Sequence, residues 1–237
     1  MIERQERYRI FLEIGKKKVF AGAVDWPGWC RWAKDEEAAL QTLLDYGPRY
    51  ARILEGADVG FEAPEDVSAF NVVERVEGNS TTDFGAPNVA LASDEEEVDE
   101  EELQRLEQLL KANWAALDEA VEKAQGKELR KGPRGGGREL DGIVNHVLES
   151  GRSYLRTLGW NVSWEKGEDD ESKMARLRKG VLEGLKEGAA GNLPKEGPRG
   201  GKRWPPRQFL RRLAWHELDH VWEIEDRVIN DLELDAD

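Results

Sequence analysis

The heptapeptide Gly132-Pro133-Arg134-Gly135-Gly136-Gly137-Arg138 returns as Gly197-Pro198-Arg199-Gly200-Gly201-Lys202-Arg203, with one mismatch in seven positions. A segment this rich in glycine ends helices and lets the chain reverse. Each copy lies between two stretches of helical apolar spacing. Before the first copy, Leu103, Leu106, Leu110, Leu117, Val121 and Ala124 recur at three- and four-residue intervals. Three further helical patterns cover about 139–158, 169–189 and 205–231. Residues 100–158 and 169–231 therefore read as two helical hairpins, which together predict a four-helix bundle. A glycine- and arginine-bearing loop also invites a phosphate-cradle reading. Neither copy follows a strand or has phosphate-loop spacing, so the connector reading is preferred.

The acidic run from Ser93 to Glu102 is read in the same local terms. Carboxylates gathered just before a helix complement the positive end of its dipole. Upstream the pattern changes. Tyr8 to Ile14 and Lys18 to Val24 are β-prone runs separated by Gly15-Lys16-Lys17, which predicts a hairpin. Asp35 is a candidate N-cap for a helix reaching Leu54, and Val67 to Val76 is a further strand candidate. The expected class is α+β, with a small β-β-α-β domain at 1–78, a linker and acidic helix lead-in at 79–98, and a four-helix bundle at 99–237.

Charge and composition narrow the function. Acidic residues outnumber basic ones by 49 to 35, so the formal charge is −14. That balance argues against sequence-independent binding to DNA or to an anionic membrane. No apolar run approaches the ~20 residues of a membrane span, and the charged start of the chain has no signal-peptide core. A cytoplasmic location is the expectation. Cys30 has no second cysteine to pair with. Beside Trp29 and Trp32 it reads as a small buried hydrophobe in preference to a reactive thiol. Basic residues cluster around both Gly-rich loops. They would form one mouth in an up-down-up-down bundle and would separate in an up-down-down-up one.

The chain has three histidines, His146, His216 and His220. His216 and His220 are four apart and share a helix face. Phe209, Leu213, His216, His220 and Ile224 advance by 4, 3, 4 and 4, so both imidazoles occupy the apolar seam and should point inward. His146 adjoins the seam of Ile143, Val147 and Tyr154 and holds the equivalent place in its own repeat. Three imidazoles suit a divalent transition metal, Zn or Ni first and Fe or Cu next, and leave coordination positions open for water or substrate. Against this stands the plainer reading of hydrogen-bonded core histidines. Glu223, three residues after His220, is a candidate fourth ligand, acceptor for an imidazole N–H, or base; as a solvated carboxylate it would do none of these.

At these residues the second half resembles the DinB/YfiT-type four-helix bundles. That family carries one histidine on its second helix and a His-x-x-x-His pair on its fourth, matching His146 and the pair His216 and His220. The resemblance covers about residues 95–237. It implies a divalent metal on those three side chains, an up-down-down-up bundle, and in some relatives transfer or isomerisation with a low-molecular-weight thiol. The first half is similar to the small domain of HicB-like antitoxins, through Val24-Asp25-Trp26-Pro27-Gly28-Trp29-Cys30 and the acid- and alanine-rich start Asp35-Glu36-Glu37-Ala38-Ala39-Leu40. No DNA-binding motif is appended, so this half is expected to pack or to bind a protein partner. The leading expectation is a metal-dependent hydrolase or thiol-dependent transferase acting on a small molecule, with homodimer formation allowed. The alternative is a non-enzymatic partner-binding or antitoxin-like protein whose bundle histidines are structural.

Overall fold

The computed structural model describes residues 8–131 and 137–229. The chain opens with β1 (Tyr8–Ile14), β2 (Val19–Ala23) and β3 (Cys30–Ala33), followed by α1 (Glu36–Asp45) and α2 (Gly47–Ile53). Next come β4 (Phe70–Glu77), the short α3 (Ser80–Phe84) and the long helices α4 (Glu100–Ala124), α5 (Leu140–Leu158), α6 (Asp170–Ala189) and α7 (Pro206–Arg227). The architecture is α+β. No helix among the described residues is long and apolar enough to cross a membrane.

The sheet order is β3-β2-β1-β4, antiparallel except for the parallel pair β1 and β4. Bringing β4 parallel to β1 requires a crossover, and the segment containing α1 and α2 supplies it. Two features differ from the sequence expectation. Cys30–Ala33 pairs with β2, with Gly22 opposite Cys30, and so forms an additional strand inside what reads as a turn. The expected helix at 35–54 is also two helices. Pro48 has no N–H to give to Leu44, so the α1 ladder stops at Tyr46 and restarts with the proline in the first turn of α2. The cap is as expected, with Asp35 accepting from the Ala38 amide at 2.9 Å.

All five residues of β2 are buried, because both faces of the sheet are covered. Phe11, Phe20 and Cys30 pack with Ala86, Leu91 and Trp215 on one face. Ile10, Leu12, Ala21 and Ala23 join the large core on the other, with Trp29, Leu43 and Tyr50. That core continues into Leu106, Leu110, Val147, Leu213 and Ile224, so apolar packing runs through sheet and bundle alike.

Two contacts for each neighbouring helix pair fix the bundle. Arg207 meets Glu102 at 2.9 Å and Glu217 meets Trp114 at 3.1 Å, so α4 and α7 run parallel. The Trp204 amide donates to Thr157 and Arg227 donates to Arg138, so α5 runs antiparallel to α7. A Cβ on Gly151 would meet Leu177 and one on Gly188 would meet Leu158, so α6 is parallel to α5. The order is up-down-down-up. The connection at 159–169 must return along α5, whose 19 residues span about 28 Å. Eleven extended residues cover roughly 36 Å, which suffices. Residues 132–136 of the first Gly-rich segment lie outside the described residues, but its flanks, Arg130 and Arg138, meet Arg227 at the C-terminal end of α7 while the second segment leads into the N-terminal end, so their described basic residues form no single mouth.

α7 is the central helix. Fifteen of its 22 residues are buried, because it is enclosed by the sheet, α4 and α5. The polar side chains buried on it are cut off from water, so their partners must come from inside the protein.

Candidate metal centre

The antiparallel pairing of α5 and α7 brings His146 level with His216 and His220. One ligand nitrogen from each lies within 4.8 Å of the others, and His146 Nε2 is 3.1 Å from His216 Nε2. The ring centroids are 4.6 to 5.1 Å apart. His216 and His220 are buried, and His146 is partly exposed.

Burial sets the charge of the cluster. Desolvation, followed by the positive potential of His220 and Arg138, pushes the His146 imidazole down to about 4. Desolvation also holds His216 well below the ordinary imidazole range, with His220, His146, Arg212 and Arg138 acting in the same direction. Both rings are thus neutral near pH 7 and present lone pairs without a proton to displace. His216 Nδ1 is buried without a protein partner.

His220 is oriented from behind. Its Nδ1 lies 2.7 Å from Glu223 Oε2, which leaves Nε2 to face the other rings. Glu223 Oε1 accepts from Arg227 Nη1 at 2.6 Å. Arg227 in turn donates through Nε to the carbonyl of Arg130 and through Nη2 to that of Arg138, on the two sides of the first Gly-rich segment. A chain of contacts therefore runs from the α4–α5 connection through Arg227 and Glu223 to His220. The hydrogen bond from His220 is the largest influence holding the Glu223 carboxyl below the usual carboxylate range.

The repeat and the seam spacing placed the three histidines, and the structure brings all three together. Glu223 lies on the Nδ1 side of His220, where it accepts an imidazole hydrogen bond. Two neighbours were not assigned to the site from the sequence, although Tyr154 was placed on the seam beside His146. Tyr154 packs edge-on against His216 with centroids 5.5 Å apart, and Arg212 Nη2 donates to Tyr154 Oη at 3.1 Å. The signal for Arg212 was its place four residues before His216, one turn away on the same face. Arg211, its neighbour in sequence, points elsewhere and pairs with Asp94 at 2.6 Å. Cys30 is buried beneath Trp215, and desolvation raises its thiol well above the ordinary range, which suits a packing role. Comparison with known proteins finds no matching family model, no matching curated protein and no matching solved structure.

Proposed function

We propose that this chain is a divalent-metal protein of the DinB type, with Zn or Ni held by His146, His216 and His220 and a small molecule as the reacting partner. The observation that carries this reading is the convergence of three ligand nitrogens, two of them on imidazoles kept neutral by burial, from helices far apart in sequence. At a Zn–N distance of ~2.0–2.1 Å, a tetrahedral site has N–N edges of about 3.3 Å. The 3.1 Å separation of His146 and His216 is close to such an edge. The up-down-down-up order of α4 to α7 also supports the DinB-type reading, which implies that topology.

A bound metal would supply a Lewis acid able to polarise a carbonyl or to lower the pKa of a coordinated water or thiol. The surrounding residues have separate tasks. Glu223 fixes the ring plane and tautomer of His220, as carboxylates commonly do for metal-bound imidazoles. Its shared hydrogen bonds and lowered pKa make it a weak proton acceptor near pH 7, so it is a positioning residue and not the base. Arg227 holds Glu223 in place. The partly exposed His146 marks the side from which a small molecule reaches the centre. Hydrolysis and thiol-dependent transfer or isomerisation both fit three protein ligands with open positions.

Elemental analysis of protein purified without a polyhistidine tag tests the proposal. About one equivalent of Zn or Ni per chain is expected, either as isolated or after loading and desalting. Absence of stoichiometric metal in both preparations would overturn it.

A further inference from the structure

Charge balance around the three histidines is unusual. Imidazole is a neutral ligand, so three of them would leave a bound divalent ion its full charge. The nearby carboxylate, Glu223, is already shared with Arg227. Arg212 adds a further cation one helical turn from His216.

Arg212 differs from its neighbours on α7. Arg207 pairs with Glu102 and Arg211 with Asp94, each with an ion pair under 3 Å. Among the described residues no carboxylate lies within 4.0 Å of Arg212. Its Nη1 donates to the Pro87 carbonyl at 2.9 Å and its Nη2 to Tyr154 Oη at 3.1 Å, both neutral acceptors, and its Nε is shielded from solvent without a partner. The guanidinium is held over the rings of Trp215, at 4.7 Å, and Tyr154, at 5.1 Å. The buried carboxylate of Glu13 acts on this cation through space without touching it, so the guanidinium is confined without the direct ion pair that would recover its desolvation. The aromatic clamp makes the placement rigid, as required of a group that must meet a ligand in fixed geometry.

Resting on the metal reading above, we propose that the centre takes a small anionic ligand, a carboxylate or similar oxyanion, whose negative end is held by Arg212 and Tyr154 while its other end reaches the metal's open position. One helical turn, about 5.4 Å, separates Arg212 from His216 along α7, which matches a molecule with two or three carbons between its metal-binding atom and its carboxylate. His146, Tyr154 and Arg212 all keep some exposed surface. The planar guanidinium offers a forked donor set to a carboxylate, and the Tyr154 hydroxyl adds a third contact.

Titration of the cobalt(II)-loaded protein with 3-mercaptopropionate and with 2-mercaptoethanol tests this. Both form a cobalt–thiolate bond with a visible charge-transfer band, and the first also carries a carboxylate. The wild type is expected to bind mercaptopropionate at least tenfold more tightly. Arg212→Met should abolish that preference while its cobalt d–d bands and stoichiometry stay unchanged. Tyr154→Phe, which removes one hydroxyl, should reduce the preference several-fold and serves if Arg212→Met does not fold. Equal binding of the two thiols by the wild type, or a preference unchanged in the variants, would overturn the anion site while leaving the metal centre standing. Failure of the wild type to bind cobalt at all would overturn the metal centre and the anion site with it.

Discussion

The Nε2 atoms of His146 and His216 face each other at 3.1 Å across the seam between α5 and α7. A hydrogen bond between them requires one of the two nitrogens to carry a proton, whereas a shared ion uses both lone pairs. Replacing His216 with Ala is therefore expected to lower bound metal below about a tenth of an equivalent by mass spectrometry. In the wild type, metal at one hundred times its Kd should stabilise the fold by about 2.7 kcal/mol, and this gain should vanish in the variant.

Glu223 bridges His220 and Arg227 without joining the ligand nitrogens. Glu223→Gln keeps the shape of the side chain and removes the charge that favours an Nδ1–H tautomer on His220. Metal affinity, measured by competition with a chromophoric chelator, should fall roughly 10- to 100-fold, the usual effect of losing such a partner. The far-ultraviolet circular dichroism should be unchanged. An unaltered affinity would mean that Glu223 serves only Arg227.

The four long helices were legible in the sequence because their apolar residues keep helical spacing and their termini carry strong signals. The acids before α4 are an example: Asp99 caps it by accepting from Glu102, and Glu100 to Glu102 fill its first turn. The histidines were legible for the same reason, since seam positions predict which side chains face inward. β3 was not, because four residues with one exposed tryptophan show no alternation and the strand exists through pairing with β2. The pairing of Tyr154 with Arg212 was hidden as well. It depends on α5 running antiparallel to α7, which periodicity within one helix cannot encode. The direction of α6 likewise follows from its packing on α5, where Gly151, Gly180 and Gly184 allow close approach.

Arg211 and Asp94 form a buried ion pair that ties the segment before α4 to α7, with exposures of 7% and 3%. Asp94→Ala leaves the guanidinium buried with the Val89 carbonyl as its described acceptor. A loss of about 3–5 kcal/mol in urea unfolding is expected. The double variant Asp94→Leu, Arg211→Met should recover much of it, because neither charge then remains desolvated.

Glu217 points from α7 toward α4, where its Oε1 accepts from Trp114 Nε1 and its Oε2 has no partner. Burial raises its carboxyl to about 8. A folded-state pKa above the unfolded value of about 4.3 means that this contribution to stability is fully present below pH 4.3 and is lost as pH rises through 8. Glu217→Gln keeps the carbonyl acceptor and cannot ionise. At pH 8.5 it should be more stable than the wild type by up to roughly 5 kcal/mol, a gap that closes on acidification toward pH 4.5. Parallel pH profiles of the unfolding midpoint would contradict the assignment.

The most direct test of the metal centre is X-ray absorption at the zinc edge on protein loaded with one equivalent of zinc. The expected spectrum shows three imidazole nitrogens at about 2.0–2.1 Å with one or two light atoms completing the site, and it collapses in His146→Ala. A spectrum with fewer than three imidazoles, or with sulfur in the coordination sphere, would contradict a centre built from His146, His216 and His220.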